Sequence, residues 1–289
     1  MKIQTVGNNV HVLSFDDVRI GWEQWMLLSG DRHHDNAHTD RALEKRHLDL
    51  ARERKALVID VGDLFCAMQG KYDPRSSKSA LRDEHKRDDY LDALVEEAAK
   101  FYGPYADLFA VLGQGNHESS ILNRLGTNLT NSLVRELNGI NKANGSERVV
   151  KAGGYGGWIK FQFKIRKTVG QNLNMKYFHG AGGGGPVTRG VIQTNRQAVY
   201  LPDADFVLTG HVHEAWVVPI TRERLSTQGK ISQDIQWHIK VPTYKQEYGD
   251  GSGGWHVETG KPPKPLGCCW IRLWLEGSEV RHSVSLDLR

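Results

Sequence analysis

Five short segments end an apolar run on residues able to bind a metal ion. They are Gly30-Asp31-Arg32-His33, Gly62-Asp63, Gly115-Asn116-His117-Glu118, Phe178-His179-Gly180 and Gly210-His211-Val212-His213. Carboxylate, carboxamide oxygen and imidazole, with no thiolate, suit hard or borderline divalent ions such as Mn, Fe, Co or Zn. Asp-x-His and His-x-His at i and i+2 put both side chains on one side of a strand end. Each piece is ordinary alone. Gly-Asp after a strand is commonly a turn, His-x-His is commonly surface, and Asn before His-Glu can cap the next helix. The specific feature is their conjunction in one chain. Seven ligands are too many for one ion with an open position and suit two ions sharing a carboxylate.

Such side chains need elements that converge. WMLLSGD (25–31), ALVIDVGD (56–63) and DLFAVLGQGNHE (107–118) read as short strands ending at these residues. The apolar spacing predicts helices at 36–55 and 86–101, and a helical region at 119–139. Strand and helix alternate, which argues for a sheet covered by helices, with ligands gathered beyond the strands' carboxyl ends. The second half reads as strands at 157–166, 175–180, 205–213, 216–220, 235–241 and 269–277. The first 24 residues are polar, with one hairpin. No linker composition interrupts the chain, so 1–289 reads as one domain. Its motif core is 25–215, and the strand-rich 216–289 is expected to complete the second sheet or cap the site.

Composition narrows the classes. Apolar residues at 39% and charged residues at 25% support a packed core and exclude disorder. No apolar run approaches the ~20 residues needed to cross a bilayer, and the N-terminus shows no secretory apolar stretch. Cys66, Cys268 and Cys269 make an odd count without a C-x-x-C pair, so a reducing, cytoplasmic setting is expected and a zinc finger is excluded. Lys+Arg minus Asp+Glu is 38 − 34 = +4, which permits an anionic partner without demanding one. Glycine, at 31 residues, exceeds the usual ~7%. Gly30, Gly62, Gly115, Gly180 and Gly210 account for part of this excess, because each flanks a candidate ligand where a tight turn must aim a side chain.

In these motifs the chain resembles the calcineurin-like metallophosphoesterases. Their pattern is D-x-H, then G-D-x-x-D or a variant, then G-N-H-D/E, then H, then G-H-x-H. The match runs from Asp31 to His213. The resemblance implies an α/β fold: a two-sheet β-sandwich flanked by helices, with a dinuclear metal site at strand carboxyl ends. It implies Asp31, His33 and His213 on one ion, Asn116, His179 and His211 on the other, and Asp63 on both. His117 would be the catalytic histidine. The expected cofactors are two divalent ions, manganese first, with iron, zinc, cobalt or nickel as alternatives. The expected reaction is hydrolysis of a phosphate ester by a metal-activated water, with a phosphodiester, DNA or RNA among them, as substrate. A phosphomonoesterase acting on nucleotides or phosphoproteins is the alternative, and a nucleic-acid-binding protein with an inactive metal site a lesser one. The second motif, Gly-Asp-Leu-Phe-Cys, lacks the second Asp and the Arg-Gly of the Ser/Thr protein phosphatase branch. It resembles the DNA-repair exonuclease branch more closely, although Glu118 leans the other way. Cys66 reads as a small buried residue rather than a ligand.

Substrate contacts are sought around these motifs. Ala-Gly-Gly-Gly-Gly-Pro (181–186) offers the N–H groups of Gly183 and Gly184 to a phosphate, against the reading of a loop leaving a strand. Arg189, Arg196 and His34 are further candidates, each against a solvated or rim position. Lys71, Arg75, Lys78 and Arg82 interleave with acids and read as a solvated loop. Trp255, in a glycine-rich stretch, is a candidate stacking residue, and the other C-terminal tryptophans read as core. No protein partner or membrane association is indicated.

Overall fold

The computed structural model describes residues 1–67, 80–165, 169–183, 185, 187–249, 251–252 and 255–289. The first half of the chain runs through β1 (Lys2–Gly7), β2 (Val10–Val18), β3 (Glu23–Ser29), α1 (Arg41–Glu53), β4 (Leu57–Asp60), α2 (Tyr90–Tyr102) and β5 (Phe109–Leu112). Then come α3 (Asn116–Leu125), α4 (Leu129–Ala143), β6 (Lys151–Ala152), β7 (Gly156–Ile165), β8 (Val169–Phe178), α5 (Ile192–Tyr200) and β9 (Phe206–Thr209). The chain ends with β10 (Trp216–Leu225), β11 (Ile231–Lys240), the single turn α6 (Trp255–Glu258), β12 (Gly267–Glu276) and β13 (Glu279–Leu288).

These strands form two mixed sheets, in the orders β13-β12-β3-β4-β5-β6 and β1-β2-β7-β8-β9-β11-β10. The central run β3-β4-β5-β6 is parallel. Strands buried on both faces read as continuous apolar runs rather than alternating ones, and β3 and β4 behave this way. Met26, Leu28, Leu57 and Ile59 pack with Phe161, Phe163, Met175 and Phe206 between the sheets. Leu27 and Val58, which point the other way, pack under the helices with Leu43 and Leu48 of α1, Leu94 and Ala98 of α2, and Leu133 and Leu137 of α4. The result is a β-sandwich flanked by helices. Among the described residues no helix is long and apolar enough to cross a membrane.

Several stretches differ from the sequence expectation. The helical region at 119–139 is two helices, because Gly126 (φ 71°) closes α3 in the left-handed conformation and Asn128 caps α4 by accepting the Asn131 N–H. Helix α5 lacks an inward apolar stripe, and strand β13, not among the expected strands, carries an alternating Val280, Val284, Leu286, Leu288 pattern. Strand β10 runs past residue 220, pairing with β11 from Trp216↔Lys240 to Leu225↔Ile231. Residues 216–289 therefore serve both sheets: β10 and β11 join the second, β12 and β13 the first.

Candidate metal centre

The seven candidate ligands come together where strand ends of both sheets meet. Asp31 and His33 follow β3, and Asp63 follows β4. Asn116 opens α3 after β5, His179 follows β8, and His211 and His213 follow β9. Asp31, His33 and His213 form one group whose donor atoms lie within 4.8 Å of each other, and Asp63, His179 and His211 form a second. In the first, His33 Nε2 is 3.1 Å from His213 Nε2, which is 3.5 Å from Asp31 Oδ1. In the second, His179 Nε2 is 3.2 Å from Asp63 Oδ2 and 3.1 Å from Asn116 Oδ1. Asn116 Oδ1 is also 2.8 Å from His211 Nδ1.

The backbone reaches this arrangement under strain. Asp31 (φ 50°), His33 (47°), Asp63 (54°), His211 (77°) and His213 (57°) are all left-handed. Such a conformation costs a non-glycine residue roughly 1–3 kcal/mol and persists where surrounding structure fixes it. Two glycines allow the close approach. A Cβ on Gly115 would strike the Asp63 carboxylate, and one on Gly210 would lie 2.6 Å from Asp31 Oδ2.

Buried carboxylates hold the turns. Glu118 Oε2 accepts the N–H groups of Asp63 (3.1 Å) and Gly115 (2.8 Å), and its Oε1 accepts that of Phe65 (2.9 Å). Burial, with Asp63 nearby, pushes the Glu118 carboxyl up to about 8. Asp63 Oδ1 accepts the His117 N–H at 2.9 Å, and Asp31 Oδ2 accepts the His211 N–H at 2.7 Å. Burial opposes ionisation of Asp63, yet His179 and His117 hold its carboxyl well below the usual range. Burial pushes the His33 imidazole well down, so it stays neutral with a lone pair to offer. The His179 Nδ1–H donates to Val61 O at 3.2 Å, which leaves Nε2 facing Asp63.

This donor set fits a divalent cation. Asp31 Oδ1 is buried without a hydrogen-bond partner, and such an orphaned atom costs about 1–3 kcal/mol. The His33 and His213 Nε2 atoms, 3.1 Å apart, can share either a proton or a metal ion. His117 stands at the edge, its side chain 11% exposed, with Nε2 3.8 Å from Asp63 Oδ2. Its Nδ1 lies 2.5 Å from Cys66 O, and its ring sits edge-on to His33.

His34 does not face the site, contrary to the sequence expectation. It is fully buried, with Nδ1 2.8 Å from Glu44 Oε2 and Nε2 3.1 Å from Glu97 Oε2. Asp31 and His33 take one side of the turn, and Arg32 and His34 take the other. Arg32, also fully buried, donates from Nε to Asp60 Oδ2 (2.7 Å), from Nη1 to Glu44 Oε1 (2.7 Å) and from Nη2 to Ser29 Oγ (2.8 Å). Asp60 Oδ1 accepts the Gly62 N–H at 2.9 Å, so one ion pair links the turns carrying Asp31 and Asp63. Arg32→Met would leave buried Asp60 without a counter-charge and Glu44 with only His34. It is expected to cost about 3–5 kcal/mol of stability, read as a lowered urea midpoint.

The remaining candidates divide. Arg189 and Arg196 are exposed on the segment leading into and through α5, and the structure joins neither to the ligand groups. Gly183 is exposed, and Gly184 lies outside the described residues, as do Lys71, Arg75, Lys78 and the side chain of Trp255. Arg82 braces the Asn36 and Thr39 carbonyls at 2.9 and 3.1 Å. Cys66 is buried, accepts from Asn36 Nδ2 at 3.2 Å, and has its thiol pushed up to about 12 by burial.

The sequence gives no sign of the support arriving from residues 240–256. Thr243 Oγ1 donates to Asp31 O (2.7 Å) and Lys240 Nζ to Gly210 O (2.9 Å). Lys245 pairs with Glu247, and Glu247 and His256 approach His213. None of these lies in a motif, and their contacts depend on the route of the chain after β11.

No protein-family model matches the chain, and no curated protein matches it. Solved structures similar to it include Vacuolar Protein Sorting 29 from Cryptosporidium parvum, 12% identical, covering 92% of this chain and 99% of that one, with a TM-score of 0.39. A wild-type Vps29 complexed with zinc from Entamoeba histolytica is 11% identical, with coverages of 91% and 98% and a TM-score of 0.34. A predicted phosphoesterase from Streptococcus pneumoniae is 10% identical, with coverages of 93% and 99% and a TM-score of 0.31. These likenesses are distant.

Proposed function

We propose that the protein is a divalent-metal-dependent phosphoesterase acting on phosphodiesters. The observation that carries this reading is the pair of largely buried donor groups at the strand ends, with Asn116 Oδ1 beside His179 and His211 of the second and orphaned Asp31 Oδ1 in the first. Asp31, His33 and His213 would hold one ion and Asn116, His179 and His211 the other, with Asp63 shared; manganese is the first choice. Bound there, such ions lower the pKa of water and offset charge on a phosphoryl group. The protein's own residues then do the rest. Asp63 sets the spacing of the two groups, and Glu118 fixes the turn that carries it. His117, whose Nδ1–H donates to Cys66 O, would carry a proton on Nε2 as the imidazolium and give it to the leaving oxygen. The cysteines are unpaired, in keeping with a reducing compartment such as the cytoplasm.

The test is hydrolysis of bis-p-nitrophenyl phosphate, p-nitrophenyl phosphate and labelled single- and double-stranded DNA, with Mn²⁺, Zn²⁺ or Co²⁺. Diester hydrolysis that EDTA abolishes and metal restores is the expected outcome. Faster turnover of the monoester would make the protein a phosphomonoesterase. No hydrolysis with any metal would overturn the enzymatic reading. For DNA as substrate, affinity should fall steeply with salt.

A further inference from the structure

A separate set of metal-binding side chains meets between α1 and the β12–β13 hairpin. Cys268 of β12 and Asp287 of β13 are direct partners across the antiparallel ladder, so their side chains stand on one face. Helix α1 covers that face and brings His47 to the pair. One donor atom from each residue lies within 4.8 Å of the other two, and His47 Nε2 is 3.5 Å from Asp287 Oδ1. Cys268 and His47 are buried, whereas the Asp287 side chain is 29% exposed and gives an ion a way in. Tyr244 Oη sits 3.0 Å from His47 Nδ1, which leaves Nε2 turned toward Asp287. A cation already occupies the mouth: Arg46 Nη2 lies 3.1 Å from His47 Nε2 and 3.5 Å from Asp287 Oδ1, on a side chain 58% exposed that can withdraw into solvent.

We propose that Cys268, His47 and Asp287 form a zinc site distinct from the strand-end centre, with water as the fourth ligand. Thiolate, imidazole and carboxylate on three elements match zinc's tetrahedral preference, and the thiolate separates this site from the nitrogen and oxygen donors of the other. On binding, the Cys268 S–H bond is replaced by a sulfur–zinc bond, the proton passes to water, and Arg46 leaves the mouth. The ion would staple the C-terminal hairpin to α1, the helix that follows the Asp31–His33 turn. The site does not depend on the phosphoesterase reading.

The test is a Co²⁺ titration of the metal-stripped full-length protein, followed by absorption. Thiolate ligation of Co²⁺ gives an intense near-ultraviolet charge-transfer band, which nitrogen and oxygen ligands do not. Cys66→Ser removes the one thiol lying close to His33 and His117. The band is expected in the parent protein and in Cys66→Ser, and should vanish in Cys268→Ser. Asp287→Asn, a near-isosteric change at the partly exposed rim, should weaken Co²⁺ binding at this band at least about tenfold, and it carries the test if Cys268→Ser does not fold. No band in the parent protein, a band surviving Cys268→Ser, or unchanged affinity in Asp287→Asn would each overturn the site.

Discussion

Asp63→Asn is expected to give a folded chain that has lost tightly bound metal and hydrolysis together. The substitution keeps the size of the side chain and an oxygen able to accept the His117 N–H, now at 2.9 Å from Asp63 Oδ1. The turn itself is held from outside by Glu118, through the Asp63, Gly115 and Phe65 N–H groups, and that clamp is untouched. What disappears is a negative charge that His179 and His117 keep ionised in a fully buried position. A carboxamide oxygen is a weak ligand, and it cannot serve two cations as a carboxylate can. Loss of a residue that merely orients a ligand commonly costs 10–100-fold in metal affinity, so loss of a shared ligand should exceed about 100-fold on the same scale. Metal content by elemental analysis and affinity by calorimetry measure this without reference to turnover. An Asp63→Asn protein that binds the parent's number of ions with the parent's affinity would remove Asp63 from the ligand set, whatever its activity.

Much of this centre is legible in the sequence, for a physical reason. Parallel strands buried on both faces are continuous apolar runs, and the ligands at their carboxyl ends lie two or three residues past each run. Asp31 and Asp63 announce themselves in that way, whereas His179 follows β8, a strand of mixed polar and apolar residues that pairs antiparallel with β7. The run Asp31-Arg32-His33-His34 shows where this stops. All four residue types can serve a phosphoesterase site, and the sequence cannot say that the left-handed turns at Asp31 and His33 send Arg32 and His34 into a buried network with Asp60, Glu44 and Glu97. Long-range support is hidden for another reason. Thr243 reaches Asp31, and Cys268 faces Asp287, only through pairings that local spacing does not encode. Helix α5 escapes notice because its apolar residues point outward, Ile192 at 52% and Val199 at 83% exposed, so it has no inward stripe to detect.

His117→Asn should lower turnover by roughly 10²–10⁴-fold, the usual worth of a general acid, while metal content stays that of the parent. The separation from Asp63→Asn follows from which atoms each residue uses. The hydrogen bond from His117 to Asp63 is made by the backbone N–H, so it survives any side-chain change. The ring is not among the closest donors of either ligand group; its Nε2 is 3.8 Å from Asp63 Oδ2, and its Nδ1 is spent on the Cys66 carbonyl. With its Nδ1–H so placed, the ring gives a proton from Nε2 only in its imidazolium form. A proton donor matters in proportion to the basicity of the leaving oxygen. The loss in His117→Asn should therefore be large for an alkyl phosphodiester, whose alkoxide needs the proton, and small for bis-p-nitrophenyl phosphate, whose phenolate leaves without one. A merely structural histidine would lower both rates by the same factor, and that result would take the proton away from His117 and return it to solvent.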